Sequence, residues 1–155
     1  MKSRTKARGV ELQVLFEYDL TGHSLGDALE ARVCEENLEA QLAQFTSQII
    51  AGVIPLINQL DSVIAEHAPE WPLDQVAIID RNILRIALWE FGVAKCTPLK
   101  VAINEAIELA KVYGSDSSPR FINGDLGSLV NHIGEIQNRF NVPIEAKIEN
   151  EIWTR

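Results

Sequence analysis

The sequence predicts an all-α fold, and three observations carry that prediction. Apolar residues recur at helical spacing through successive stretches of the 155-residue chain. Ala, Leu, Ile and Glu are plentiful, while aromatic residues make up only 6%. Six prolines and nine glycines are too few for an architecture built on turns. The length suits one compact domain, and 46% apolar residues supply a sizeable core. No linker, repeat or low-complexity tract divides the chain.

The first helix is expected over residues 5–21. Ala7, Val10, Val14 and Tyr18 form one row, and Leu12, Phe16 and Leu20 form another. Two rows mean that the helix is covered on more than one side or offers one row to a partner, a second copy of the chain included. Arg4 and Arg8 are four apart and share a face near its start. The helix dipole disfavours each cation there by about 0.3–1 kcal/mol, a hint that the charges serve a ligand. Gly9 costs about 1 kcal/mol relative to alanine and suits the close approach of a neighbour. Gly22-His23-Ser24 is a turn, and Ser24 caps a short helix over residues 25–34. The next helix covers residues 39–52, with Leu42, Phe45, Ile49 and Ile50 apolar. Pro55 interrupts a pattern that Leu60, Val63 and Ile64 carry on to position 68. One bent helix and two abutting helices both fit.

Pro69-Glu70-Trp71-Pro72 is a break, with Trp71 placed to close over the core edge. Residues 73–94 form the next helix, apolar all round and therefore the central, most buried element. Arg81 and Arg85 within it must reach solvent or an acid. The most apolar window, residues 76–94, carries four charges (Asp80, Arg81, Arg85 and Glu90), which is wrong for a membrane span.

Residues 98–124 are the most distinctive stretch. Thr97 is the expected N-cap and Pro98 the first helical residue. Val101, Ala102, Ile103, Ala106, Ile107 and Ala110 make a wide apolar face, and Gly114 supplies the stop. A polar turn at 115–118 leads to Pro119, early in the last main helix, which packs through Ile122, Leu126, Leu129, Val130 and Ile133. Residues 1–140 thus read as a single helical domain. Residues 141–155 read as a C-terminal tail whose Ile144, Ile148, Ile152 and Trp153 can dock as an extra turn.

Net charge is −8, but it is unevenly spread. Lys2, Arg4, Lys6 and Arg8 fall in residues 1–8 with no acid, whereas the remaining 147 residues carry 10 bases and 22 acids. An acidic body with one basic end can grip a phosphate backbone locally. Cys34 and Cys96 lack metal-type spacing and read as reduced thiols of a cytoplasmic protein. No apolar signal segment follows the basic N-terminus. His23, His67 and His132 are isolated, and no nucleophile elbow, phosphate loop or metal-binding helix motif occurs. The expectation is therefore no catalysis, no cofactor and no metal. Asn104 and Asn123, set in apolar patterns, are expected to bridge backbone groups between packed elements. Glu105 and Glu108 read as a solvated helix surface. Arg120-Phe121 fits either a core phenylalanine beside a solvated arginine or an RNA platform. Unpaired bases stack on rings and guanidinium planes, and Ser115, Ser117 and Ser118 add short donors at a helix start that favours anions.

These residues also carry a resemblance. Val101–Lys111 (VAINEAIELAK), Tyr113-Gly114, the serine-rich turn, Arg120-Phe121 and Ile122-Asn123-Gly124 together resemble the signature of the NusB family of transcription antitermination factors. Residues 79–90 (IDRNILRIALWE) and 8–21 resemble the family's helices upstream, in family order, over roughly residues 4–135. The resemblance implies a compact all-α fold of about seven helices in two packed sub-bundles. It implies a non-enzymatic factor that binds boxA-type single-stranded RNA of ribosomal RNA leader transcripts. The implied partners are the ribosomal protein NusE and the RNA polymerase antitermination complex, with no membrane. By the same resemblance Arg4, Lys6, Arg8, Ser117, Ser118, Arg120 and Phe121 contact RNA, and Phe16 and Asp80 face NusE. The N-terminal run is less arginine-dense than is common, Phe16 stands where some members have tyrosine, and Pro119 replaces a polar residue. The alternatives are a purely protein-binding helical module and an RNA-binding accessory domain of the kind found on RNA methyltransferases. The absence of a SAM-binding βαβ pattern argues against a complete enzyme.

Overall fold

The computed structural model describes residues 3–22, 24–67 and 75–140. Among these residues the chain forms eight α-helices and no strand. It falls into two compact units that meet in sequence between Pro55 and Leu56. His23, the break at residues 69–72 with Trp71, and the tail at 141–155 lie outside the described residues.

The first unit is built on α1 (Ser3–Thr21), which packs against α2 (Leu25–Glu36) and α3 (Ala40–Val53). Ala7, Val10, Leu12, Val14 and Leu15 are buried, so the first part of α1 is covered on more than one side. Its end emerges: Phe16 and Tyr18 are half-buried, and Leu20 is 59% exposed. Thr46 on α3 donates to the Ala7 carbonyl at 3.3 Å and ties the two helices. Helix α2 runs two residues beyond Cys34 and stops at Asn37, whose left-handed backbone directs its N–H to the Val33 and Cys34 carbonyls.

Pro55 does not end the helical run. A 3₁₀ turn at Ile54–Leu56 links α3 to α4 (Ile57–His67), so the described residues form seven helical segments if this run is counted once. The run is long and apolar enough to cross a bilayer by length and composition alone. Its apolar residues are otherwise engaged, since Ile49, Ile50 and Val53 in the first unit and Leu60, Val63 and Ile64 in the second are buried.

The second unit is centred on α5 (Ile78–Leu88), which packs against α4, α6 (Leu99–Tyr113) and α7 (Ser118–Val130). The expected burial of this helix is observed: Ile83, Leu84, Ile86, Ala87 and Leu88 are all 2% exposed or less. Arg85 finds its acid in a two-pronged pair, donating from Nε and Nη2 to Asp61 at 2.8 and 2.7 Å. Its Nη1 donates to Asn82 at 3.0 Å. Arg81 donates instead to the Val76 carbonyl at 3.2 Å.

The helix does not continue regularly to Ala94. Trp89–Val93 is a π-helical turn, closed by the Ala94 N–H on the Trp89 carbonyl at 2.9 Å. The turn frees the Phe91 carbonyl, which accepts from Gln137 of α8 (Ile133–Arg139) at 3.0 Å. A Cβ on Gly92 would stand only 3.3 Å from Ile136, so the small residue lets α8 sit close. Thr97, expected as a helix cap, faces inward instead and donates to the buried Glu90 carboxylate at 2.7 Å. Pro98 takes the cap position without a side-chain bond.

Candidate nucleic-acid interface

The basic N-terminus becomes the first turns of α1, so its cations are held on a rigid helix. Arg4 is exposed, Lys6 is half-buried, and Arg8 is buried at 2% exposure. Helical spacing puts Arg4 and Arg8 over the same aromatic ring, Phe45 of α3, at 4.9 and 5.3 Å from its centroid. Such cation–π contacts contribute about 0.5–1 kcal/mol each at exposed sites and more when desolvated. They offset the unfavourable position of two cations at a helix N-terminus. Arg8 is thus a packed residue that braces Phe45, while Arg4 and Lys6 reach water. Phe45 was legible only as an apolar helix position, because its role depends on a contact between helices.

The second group lies in the second unit, where α6 gives way to α7. Gly114 follows α6 with φ −90° and ψ −171°, an extended conformation open to any residue. Its smallness is nevertheless required: an added Cβ would lie 2.5 Å from both Cβ and Oγ of Ser118. The start of α7 therefore presses against the end of α6. Ser118 Oγ accepts from the Ser115 N–H at 2.9 Å and closes the turn. Ser115 and Ser117 hydroxyls are 3.2 Å apart at its tip.

Ser118 is 1% exposed, and its hydroxyl hydrogen-bonds the carboxylate of Asp80 in the first turn of α5. It holds the turn and Asp80 together and is not itself presented to solvent. Arg120 and Ser117 are exposed, and Phe121 is half-buried. Asp80, Ser117, Arg120, Phe121, Val76 and Asp125 line a groove of about 590 Å³. Burial pushes the Asp80 carboxyl above the ordinary carboxylate range, and the Ser118 bond pulls it partly back. Its Oδ1 is buried without a hydrogen-bond partner among the described residues. The groove thus combines a half-exposed ring, a guanidinium, hydroxyls and an unmet acceptor. That set suits a stacked base or a polar partner group more than phosphate deep inside, given its two acids.

Of the residues expected to act, Ser117, Ser118, Arg120, Phe121 and Asp80 are brought together in or beside this groove. Arg4, Lys6 and Arg8 belong with Phe45 on α1 and α3. Phe16 stands half-buried farther along α1. Asn104 and Asn123 are both exposed, so the expected buried amide bridges are absent. Each sits on the outer side of its helix, where an amide meets water.

Known proteins share this fold and much of this sequence. The sequence model of the NusB family matches residues 5–131. The transcription antitermination protein NusB of Chloroflexus aggregans is 43% identical over 129 residues, covering 82% of this chain and 86% of its own. T. maritima NusB superposes with a TM-score of 0.75 at 28% identity, covering 90% of this chain and 98% of its own. A structure of antitermination factors NusB and NusE with double-stranded RNA shares the fold at a TM-score of 0.76 and 24% identity, over 84% of this chain and 98% of that one. A match that takes in the basic helix, the central helix and the serine turn alike, at this identity and coverage, makes the chain a member of the NusB family.

Proposed function

We propose that this chain is a non-enzymatic transcription antitermination factor of the cytoplasm. It binds boxA-type single-stranded RNA of ribosomal RNA leader transcripts together with NusE, within the RNA polymerase antitermination complex. Family membership supports the role, and a protein of the same fold forms a complex with NusE and double-stranded RNA.

The observation that carries the reading is the groove beside the α6–α7 turn. Phe121 offers a ring face for an unpaired base, and Arg120 and Ser117 stand beside it for phosphate or 2′-hydroxyl contact. Arg4 and Lys6 hold backbone phosphates. Arg8 and Ser118, being buried, act by positioning: Arg8 through Phe45, and Ser118 through the turn and Asp80. Phe16 and Asp80 serve NusE, with the unmet Asp80 oxygen accepting a donor from the partner.

The test is a titration of boxA-type RNA against the protein, with and without purified NusE. Phe121→Ala should weaken RNA binding by about 1–3 kcal/mol, the worth of one base–aromatic stack. Asp80→Lys should weaken NusE binding while the protein stays folded. RNA affinity unchanged by Phe121→Ala would remove the stacking platform. A protein that binds NusE but no RNA would be a purely protein-binding module.

A further inference from the structure

Away from the groove, the second unit brings together side chains that stand far apart in sequence. Glu66 and His67 end α4, while His132 and Glu135 lie at the start of α8. Donor atoms of Glu66, His67 and Glu135 all lie within 4.8 Å of one another. The His132 ring stacks on His67 with centroids 4.5 Å apart, and His132 Nδ1 is 3.9 Å from Glu135 Oε2. His67 Nε2 is buried without a hydrogen-bond partner among the described residues.

Ion pairing alone accounts for only part of this cluster. Arg139 donates to Glu66 Oε2 at 2.5 Å and holds that carboxylate ionised, below its ordinary range. The second oxygen of Glu66 keeps its lone pairs for another partner. Like-charged Glu66 and Glu135 nevertheless converge on one imidazole, an arrangement that a cation between them would relieve.

We propose that Glu66, His67 and Glu135 bind one divalent transition-metal ion, zinc above the others, with water in the fourth position. Imidazole with carboxylate is a donor set that zinc accepts in a four-coordinate site. Magnesium, which prefers oxygen ligands and retains water, is disfavoured by the imidazole of the set. Bonds of about 2.0–2.2 Å in a tetrahedron bring ligand atoms to roughly 3.4 Å apart. The exposed Glu66 and Glu135 side chains can close that remaining distance by rotation. Arg139 stays on Glu66 as the outer group that orients a ligand carboxylate. The ion would staple the C-terminal end of α4 to α8.

The experiment is calorimetric titration of the full-length protein with zinc chloride, beside thermal melts with zinc, with magnesium and with chelator. One zinc per chain is expected, with a melting temperature that zinc raises, chelator restores and magnesium leaves alone. Glu135→Gln and His67→Asn should each weaken zinc binding at least tenfold. If His67→Asn fails to fold, as judged by circular dichroism, the exposed Glu135→Gln carries the test alone. No saturable zinc binding, or binding that Glu135→Gln leaves unchanged, would overturn the proposal; the latter would move the ion to other ligands such as Cys34 or Cys96.

Discussion

Gly114→Ala probes the junction that shapes the groove. The new Cβ would meet Ser118 Cβ and Oγ at 2.5 Å and the Ala110 carbonyl oxygen at 2.8 Å. Rotating the Ser118 side chain moves only the Oγ, because the other two atoms are fixed to the backbone. Overpacking costs about 1–3 kcal/mol in general, and two clashes under 3 Å with atoms that cannot rotate away put this one at about 2–3 kcal/mol. The extended backbone at Gly114 imposes no penalty of its own, and alanine recovers about 0.4–1 kcal/mol by restricting the unfolded chain. The net loss is about 1–2.5 kcal/mol, seen as a urea midpoint shift at constant slope. In a thermal melt it corresponds to roughly 2–10 °C. Ser118→Gly removes both Ser118 atoms and should recover part of the loss when combined with Gly114→Ala, a coupling of about 0.5–3 kcal/mol. A Gly114→Ala protein as stable as the parent would refute the close approach of α6 and α7.

Arg8→Ala should lower stability by about 0.5–2 kcal/mol, because it strips packing and a desolvated cation–π contact from Phe45. Arg4→Ala should leave the unfolding curve nearly unmoved but reduce the salt slope of RNA binding by about one; a normal unfolding midpoint for Arg8→Ala would contradict this division. Asp80→Asn should raise stability at neutral pH. Burial lifts the folded-state pKa above the unfolded value, so the ionised form costs stability at high pH, and the cost fades as pH falls through the folded pKa toward the unfolded one. The gap between the asparagine variant and its parent should therefore narrow in acid, and a pH-independent gap would count against the assignment. Arg85→Ala strands Asp61 and should cost about 3 kcal/mol, the low end for a broken buried pair because the Asp61 side chain is 24% exposed. Chemical denaturation giving less than about 1 kcal/mol would mean that water replaces the guanidinium freely.

Much of the fold could be read before any coordinates. The burial of the central helix, the C-terminal end of α1 and the start of α7 follow from apolar spacing and from Pro119, although α5 starts at Ile78 and not at residue 73. What escaped depends on contacts between elements. Thr97 has the chemistry of a cap, but the buried Glu90 carboxylate competes for its hydroxyl and wins. Ser118 looked like a surface donor because its neighbours are polar, yet Gly114 lets it press inward. Asn104 and Asn123 fall among apolar letters but project from the outer faces of their helices. The pairing of two arginines with Phe45 joins residues about forty positions apart, which no local pattern encodes. His67 and His132 looked isolated for the same reason, and the chain stacks them.

The widened spiral at Trp89–Val93 constrains how this chain can change length. Deleting one residue there would let α5 run on as an ordinary helix, turning everything downstream by about 100°. Thr97 would swing away from Glu90, and the Phe91 carbonyl would return to the helix and leave Gln137 without its acceptor. A change of length within those five positions therefore loses both contacts, whichever residue is removed.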